Sequence, residues 1–436
     1  MNLSCRLKRF PDNAIAMNIY PQQGRFPPFF FCCLLQLCIG FKSIAQSPDI
    51  LRSKEVVTEL AALLESSHLS TALTELPFAS TPLTRSDSLR AGQLLVSSFK
   101  AQLKIERAPE MAAQTLRHDG FELPFFTKIY GDKPEGGWSL YISMHGGGGA
   151  PPTVNDRQWE NQKKLYVLDE GVYVAPRAPT DTWNLWHQGH IDPLFERLIQ
   201  NMVVFHDVNP DRVFLMGYSA GGDGVYQLAP RMADYFAAAA MMAGHPNETV
   251  PDGLRNLPFS LFMGGKDAAY KRNQIASEWK EKLRQLQIKD SEGYPHWVKI
   301  FPDYGHWMQK EDAAAIPWMH QFTRNKYPDR VVWKQDDVLH NRFYWLRLSK
   351  GAAKARSLNI VSLKGQIIEV ETVEAEKMTI LLNDMMLNLD QPLSVVANGK
   401  TLFKGRPDRT VANLITSLLE RGDPGYLFSS KIDLNF

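Results

Sequence analysis

Residues 213–221 read VFLMGYSAG, and this stretch decides the fold of the chain. Four apolar residues form a predicted buried strand, and the G-x-S-x-G pentapeptide follows directly. This pattern is typical of a nucleophile elbow, in which a serine lies on a strained turn between strand and helix with its hydroxyl exposed. Glycines are needed at 217 and 221 because strand and helix pack closely there. One pentapeptide is a weak signal, so Ser219 needs partners elsewhere in the sequence.

Strands and helices alternate on both sides of this segment. The strand-like runs are residues 121–130, 138–144, 171–175, 213–216, 236–242, 259–263 and 297–301. Helical spacing occurs between or after them, at residues 193–205, 274–286 and 313–322. Buried strands separated by helices predict an α/β fold, with a mostly parallel sheet that has helices on both faces. We assign residues 121–327 to this catalytic domain.

The flanking regions have different patterns. Apolar residues recur at helical spacing in 51–66 and 88–114, so residues 46–120 are predicted to form a helical cap, lid or brace. After residue 328 the pattern changes to short strand-like runs, with a hairpin signal at Asn398-Gly399 and one late helix at 411–419. We therefore predict a C-terminal β-rich, sandwich-like domain over 328–436.

A serine nucleophile needs a base, and the sequence offers eleven histidines. His306 is the best candidate, because it follows the last strand of the series and would reach the sheet edge where Ser219 lies. Other histidines precede the serine, begin a strand or lie on a later helix. These are His145, His187, His190, His296 and His320.

An acid should orient that base, and three aspartates are candidates. Asp267 follows the strand at 259–263, between serine and histidine in the sequence, and is the preferred residue. Asp303 competes because it lies three residues before the histidine, although after Pro302 it is typical of a turn. Asp223 is close to the serine and is better explained as stabilising the start of the elbow helix.

The developing oxyanion needs backbone donors, which residues 145–149, His-Gly-Gly-Gly-Gly, could supply after the strand at 138–144. Glycines allow N–H groups to turn toward a ligand. Gly146 or Gly147, with Ala220 after the nucleophile, are the predicted oxyanion hole. The polar residues that follow either fix this loop through side-chain bonds or form a solvated turn; they are Asn155, Asp156 and Gln158.

The order glycine loop, G-x-S-x-G, Asp, His resembles the α/β-hydrolase superfamily. Within it the chain resembles the secreted carboxylesterases related to polyhydroxybutyrate depolymerases, feruloyl esterases and predicted peptidases. The resemblance covers about residues 121–325 and implies nucleophile, acid and base roles for Ser219, Asp267 and His306. It does not cover the flanking regions. Secreted depolymerases and feruloyl esterases often depend on disulfides, and residues 46–436 contain no cysteine to form one.

Residues 181–187, Asp-Thr-Trp-Asn-Leu-Trp-His, follow another strand and are a candidate substrate-binding segment. Trp183 and Trp186 could stack an aromatic or sugar-bearing ester, with His187 and His145 nearby; alternatively, the loop packs on the domain edge. His187, His190 and Asp192 have a spacing compatible with a metal, but polar loop residues are the simpler explanation. We expect no metal and no cofactor.

Residues 1–45 predict a secretory signal peptide, with about 13 apolar residues from Phe29 to Phe41 and a small-x-small pattern at 43–45. This run is shorter than the ~20 residues of a membrane span. Met17 could be the true start. All four cysteines lie in this segment: Cys5, Cys32, Cys33 and Cys38. We expect an exported protein, periplasmic or extracellular, without disulfides or a stable membrane span.

Removal of residues 1–45 leaves 44 basic and 46 acidic side chains, which does not favour a nucleic-acid partner. The expected partner is a small-molecule or polymeric ester, and the β-rich region could bind a carbohydrate or envelope component. Three functions stay open at this point: an esterase, a peptidase with the same triad, and a binding protein with a vestigial hydrolase body.

Overall fold

The computed structural model describes residues 48–436. The predicted signal peptide and the four cysteines lie outside the described residues. The helices are α1 (Pro48–Ser66), α2 (Arg85–Glu106), α3 (Ala108–Ala113), α4 (Pro152–Leu165), α5 (Ile191–Phe205), α6 (Ala220–Arg231), α7 (Arg272–Lys289), α8 (Ala315–Met319) and α9 (Val411–Arg421). In residues 48–436, no helix has the length and hydropathy needed to cross a membrane.

An eight-stranded sheet forms the centre of the molecule. Its strands are β1 (Thr115–His118), β2 (Phe121–Tyr130), β3 (Trp138–Met144), β4 (Gly171–Pro176), β5 (Val208–Tyr218), β6 (Ala238–Met242), β7 (Phe259–Gly264) and β8 (His296–Phe301). They are ordered β1-β2-β4-β3-β5-β6-β7-β8. Strands β3 to β8 pair in parallel, whereas β2 is antiparallel to both of its neighbours.

Successive side chains of the central strands enter two different cores. On β5, Leu215 packs in the core with α5, α6 and α7, whereas Phe214 and Met216 pack in the core with α8 on the opposite face. This alternation is the two-residue period of a strand. Because both faces are covered, the strands are apolar throughout. The predicted α/β fold with helices on both faces is confirmed.

The C-terminal region adds two smaller sheets. Their strands are β9 (Arg330–Lys334), β10 (Arg342–Phe343), β11 (Leu346–Arg347), β12 (Leu358–Lys364), β13 (Ile367–Thr372), β14 (Lys377–Leu382), β15 (Leu393–Ala397), β16 (Lys400–Gly405) and β17 (Ser430–Asn435). One sheet has the order β16-β15-β13-β12-β9 and the other β10-β11-β14-β17. Asn398 and Gly399, with φ of 49° and 74°, connect β15 to β16 as the predicted two-residue hairpin.

Residues 48–436 pack as one compact unit. Trp333 and Trp345 of the β-rich region share a core with α6 and α7, and α9 packs against α2 in a core that also includes α1. A buried ion pair joins Arg421 of α9 to Asp234, which follows α6, at 2.7 Å. The boundaries near 120 and 328 therefore coincide with changes in secondary structure but not with a gap in packing. The division into domains stays a prediction.

Candidate active site

Ser219 lies at the sharp turn between β5 and α6. Its φ of 59° and ψ of −122° lie outside the regions that non-glycine residues usually adopt. A Cβ added at Gly217 would lie 2.2 Å from the Gly221 carbonyl oxygen, and one added at Gly221 would lie 2.1 Å from that of Met144. Neither position accepts a side chain. The pentapeptide therefore forms the strained elbow that its glycines predict.

Three side chains that are distant in sequence meet at the carboxyl edge of the sheet. The Ser219 hydroxyl lies 2.9 Å from His306 Nε2, and His306 Nδ1 lies 2.7 Å from Asp267 Oδ2. With the neutral imidazole protonated on Nδ1, the histidine donates to the carboxylate and accepts from the hydroxyl. The Asp267 side chain is 2% exposed and that of His306 is 43% exposed. The acid is thus buried, while the base faces solvent.

The other two candidate acids take different positions. Asp303 is exposed, with 86% of its side chain accessible, and pairs with Lys266 at 3.3 Å. Asp223 accepts a hydrogen bond from the His245 N–H at 2.6 Å, and burial raises the pKa of its carboxyl to about 6. Neither of these carboxylates bonds to His306. Asp267 alone among the three occupies the position beside the imidazole.

The glycine loop lies directly against the serine. A Cβ at Gly146 would lie 3.0 Å from that of Ser219, so only glycine fits without displacement. Gly147 and Gly148 have φ of 111° and 81°, a range of positive φ that glycine adopts readily and other residues rarely do. In the part of the chain that the structure describes, the N–H groups of Gly146 and Gly147 have no hydrogen-bond partner. They remain free to donate to a ligand.

Asn155 of α4 holds this loop from the side. Its Oδ1 accepts from the Gly148 N–H at 2.8 Å, and its Nδ2 donates to Asp181 Oδ1 at 2.8 Å. The residue is fully buried. Of the two interpretations left open for this residue, loop fixation agrees with these contacts. Asp156 instead accepts from Arg177 Nε at 2.9 Å.

His145 and Trp186 require a correction, because neither can contact a substrate. Both are fully buried. His145 Nδ1 lies 2.6 Å from the Gly146 carbonyl oxygen, and its Nε2 accepts from the Ala178 N–H at 3.1 Å. Trp186 Nε1 donates to the His145 carbonyl oxygen at 2.9 Å. Burial lowers the pKa of His145 to about 4. These side chains therefore stabilise the glycine loop through hydrogen bonds to the carbonyl oxygens of residues 145 and 146.

Trp183 and His187 lie outside the cavity beside Ser219. Trp183 is 63% exposed and packs over Gly149, with its ring edge-to-face with His187. Burial lowers the pKa of His187 to about 4. Their assignment to substrate binding stays a sequence prediction without support from this cavity.

The histidine and acid group considered for a metal does not assemble. Asp192 pairs with Arg231 at 2.5 Å and with His340 at 2.7 Å, whereas His190 stacks on Phe121. Within residues 48–436, the carboxylates close enough to share a cation belong to Glu248, Asp336 and Asp337. The Arg356 guanidinium already donates to both of these aspartates at 2.7 Å. Neither the histidine and acid group nor this carboxylate group therefore has a role in the active site.

A cavity of about 670 Å³ opens beside the serine. It is lined by Gly146, Gly147, Gln158, Glu160, Asn161, Gln162, Lys164, Leu165, Tyr218, Ser219, His306, Trp307 and Lys310. The sequence did not predict that α4 residues after Gln158 line this cavity. It also gave Trp307 and Lys310 no place in the site. Trp307 directly follows His306, and this adjacency was a usable signal. Apolar and polar groups contribute to the wall, so the cavity suits a ligand with mixed character.

The chain order Ser, Asp, His, with the serine on a strand-to-helix elbow, is the α/β-hydrolase arrangement. Residues 174–337 match the dienelactone hydrolase family, and this span contains Ser219, Asp267 and His306. The chain has the α/β-hydrolase fold. The match covers less than half of the chain and leaves out the glycine loop, the N-terminal helices and most of the β-rich region.

Part of this chain is similar to solved structures at low identity and with TM-scores below 0.5. A thermostable esterase is 17% identical with a TM-score of 0.37, over 48% of this chain and 62% of its own. A ferulic acid esterase is 15% identical with a TM-score of 0.33, over 48% and 95%. Dipeptidyl peptidase 4 from Porphyromonas gingivalis is 14% identical with a TM-score of 0.36, over 48% and 35%. This chain thus spans less than two thirds of the first esterase. No curated protein matches the sequence.

Proposed function

We propose that this protein is a serine hydrolase that cleaves carboxylic esters through an acyl-enzyme intermediate. The observation that carries the proposal is the hydrogen-bonded series from Ser219 through His306 to the buried Asp267. A hydroxyl is a weak nucleophile at neutral pH, and a histidine in contact with it provides the base. The acid fixes the tautomer of the imidazole and stabilises the imidazolium that forms.

The first half of the reaction acylates the serine. Ser219 Oγ attacks the ester carbonyl carbon while His306 Nε2 accepts the hydroxyl proton. The tetrahedral oxyanion accepts hydrogen bonds from the N–H groups of Gly146 or Gly147 and of Ala220, the first residue of α6. Each such donor is worth on the order of 3 kcal/mol in the transition state. The imidazolium then protonates the departing alkoxide, and the C–O bond breaks.

The second half uses the same groups in reverse. Water replaces the alcohol, and His306 accepts one of its protons as the oxygen attacks the acyl carbon. The second tetrahedral intermediate collapses, and Ser219 leaves with the proton returned by the imidazolium. The products are a carboxylic acid and the free enzyme. The exposed position of the histidine supports this scheme, because water must reach it.

Hydrolysis of p-nitrophenyl acetate and labelling by a fluorophosphonate probe test the proposal. The wild type should turn over the ester and be labelled, whereas Ser219→Ala should lose both. The control is Ser349→Ala, an exposed serine of the β-rich region. Full ester turnover by Ser219→Ala would exclude the mechanism. A peptide panel measured in parallel tests the peptidase alternative, which requires hydrolysis of peptide bonds that Ser219→Ala loses.

Export and partner binding are further parts of the proposal. The apolar segment before residue 46 supports secretion, and N-terminal sequencing of protein from the cell envelope or medium should then begin at Gln46. Cytoplasmic protein that retains the segment would contradict secretion.

The β-rich region is proposed to bind a carbohydrate or envelope component. Sedimentation of the full chain with purified envelope polysaccharide measures this interaction.

A further inference from the structure

The buried acid of the proposed triad has a second basic neighbour. Arg272 Nη1 lies 3.7 Å from Asp267 Oδ1, whereas His306 bonds to the other carboxylate oxygen, Oδ2. The Asp267 side chain is 2% exposed and that of Arg272 is 12% exposed. Among the described residues, these two are the basic groups within ion-pair distance of Asp267. While His306 is neutral, Arg272 is therefore the cation that compensates this buried charge.

The turn before α7 places the arginine beside the acid. Tyr270 and Lys271 have φ of 52° and 59°, two consecutive non-glycine residues in the left-handed region. The Asn273 N–H closes the turn by donating to the Asp267 carbonyl oxygen at 3.1 Å. The Arg272 guanidinium lies over the Tyr270 ring, 4.9 Å from its centroid. Strained backbone of this kind is concentrated at functional sites.

The Arg272 guanidinium has unused hydrogen-bonding capacity. Its Nε is buried and has no hydrogen-bond partner within residues 48–436. The distance of 3.7 Å to Asp267 is also too long for a direct hydrogen bond. A buried arginine that connects elements usually has its donors satisfied, as those of Arg324 are by Asp211 and the Asp234 carbonyl oxygen. Arg272 therefore acts on Asp267 through its charge.

The charge of Arg272 also reaches a second carboxylate, that of Asp223 in the elbow helix α6. Burial raises the pKa of Asp223 to about 6, and the His245 N–H and the Arg272 charge oppose this rise. When Asp223 is ionised, its negative charge offsets part of the arginine's effect on Asp267. The two acids thus influence the triad in opposite senses through one cation.

The other titratable groups near the triad do not replace this cation. Burial raises the pKa of the Tyr218 phenol and of the Asp312 carboxyl, and it lowers that of His245, so each favours its neutral form. Lys266 pairs with the exposed Asp303. Exposed lysines of the neighbouring segments are screened by solvent; they are Lys164, Lys271 and Lys310.

We propose that Arg272 is a positioning residue whose charge stabilises the Asp267 carboxylate and sets the pH at which the Asp267–His306 pair takes up a proton. The inference rests on the proposed function and adds a residue that does not line the cavity beside Ser219. A coupled carboxylate and imidazole titrate as one pair, and a neighbouring cation opposes proton uptake wherever the proton resides. Without Arg272, the pair should become protonated, and the base inactive, at higher pH.

The pH profile of kcat/KM for p-nitrophenyl acetate tests this charge effect. In Arg272→Met the acidic limb should move up by about one pH unit, so that the rate on that limb falls about tenfold and the loss diminishes above pH 8. Arg272→Lys keeps the charge and should keep the limb closer to that of the wild type. Arg284→Met, which removes an exposed arginine of the same helix, is the matched control and should leave the profile unchanged.

Asp223→Asn provides a change of the opposite sign. The amide oxygen can still accept from the His245 N–H, but the arginine's charge is no longer offset, so the limb should move to lower pH. This variant retains Arg272 and decides the question if circular dichroism shows that Arg272→Met does not fold. A limb that stays unchanged in every folded variant, or a loss in Arg272→Met that is equal at every pH, would overturn the proposal.

An NMR titration of the His306 ring separates this inference from the hydrolytic one. It compares Ser219→Ala with Ser219→Ala/Arg272→Met, and His306→Gln assigns the resonance. The double variant should take up its proton at higher pH, whether or not the wild type hydrolyses esters. Equal midpoints with ester turnover by the wild type would overturn the role of Arg272 and leave the hydrolase intact. A higher midpoint without turnover would support Arg272 and overturn the proposed function.

Discussion

The hydroxyl of Tyr218 donates a hydrogen bond to the backbone carbonyl of His306 at 2.6 Å. The same oxygen accepts from the Met308 N–H at 3.1 Å. The residue before the proposed nucleophile therefore fixes the backbone on both sides of residue 307, and with it the position of the imidazole. Burial raises the pKa of this phenol above its ordinary value, so the hydroxyl stays protonated.

Tyr218→Phe should lower kcat about tenfold with little change in KM, because the histidine loses orientation rather than the substrate losing a contact. It should also cost about 1–2 kcal/mol of stability, since the Met308 N–H loses its acceptor. Steady-state kinetics and chemical denaturation measure the two effects. Tyr130→Phe, whose hydroxyl makes a 3.4 Å contact with the Tyr166 carbonyl, is the control. Equal kinetics for the two variants would contradict the positioning role.

Asp267→Asn should reduce kcat at neutral pH by about 10⁴, because an amide no longer stabilises the imidazolium and favours the wrong tautomer. Asp303→Asn should change kcat little, because Asp303 pairs with Lys266 on the surface. Ester hydrolysis by the two variants decides between these acids. A larger loss in Asp303→Asn would reassign the acid.

Gly217→Ala should destabilise the fold by about 1–3 kcal/mol or more, because its Cβ would overlap the Gly221 carbonyl. Gly136→Ala is the matched control, since its Cβ would lie 3.6 Å from the nearest atom, on the Asn209 side chain. Thermal unfolding measures both. A melting temperature unchanged in Gly217→Ala would show that the elbow relaxes more easily than the packing implies.

His145 should make stability depend on pH. Burial lowers its pKa to about 4 in the folded state, below the ordinary value of 6.5. The unfolded chain therefore binds more protons between these values, and stability should decrease as pH falls from about 6.5 to about 4. The shift corresponds to a loss on the order of 3 kcal/mol.

Free energies of unfolding at pH 4 to 7.5 measure this effect in wild type, His145→Gln and His68→Gln. The His145 variant should be less stable at neutral pH but should have a smaller pH slope than the wild type. The exposed His68 should give the wild-type slope. A slope that His145→Gln leaves unchanged would assign the dependence to another group.

Most of the central fold could be predicted because its strands are apolar on both faces and its turns contain glycine. Helix α4 was missed, since it begins at Pro152 and its polar sequence lacks a clear apolar stripe. It buries Asn155 and Gln162 through hydrogen bonds instead. Strand β1 was missed because four residues are too few for a periodic signal.

The sequence by itself determined the elbow at Ser219 and the order of Asp267 and His306 along the chain, because strand patterns and glycine turns depend on near neighbours. Only the tertiary structure decided which histidine is buried and which residues line the cavity. His145 is enclosed by Ala178 and Trp186, and the cavity combines α4 with the segment after His306. Burial depends on contacts between residues far apart in sequence, and no local pattern records them.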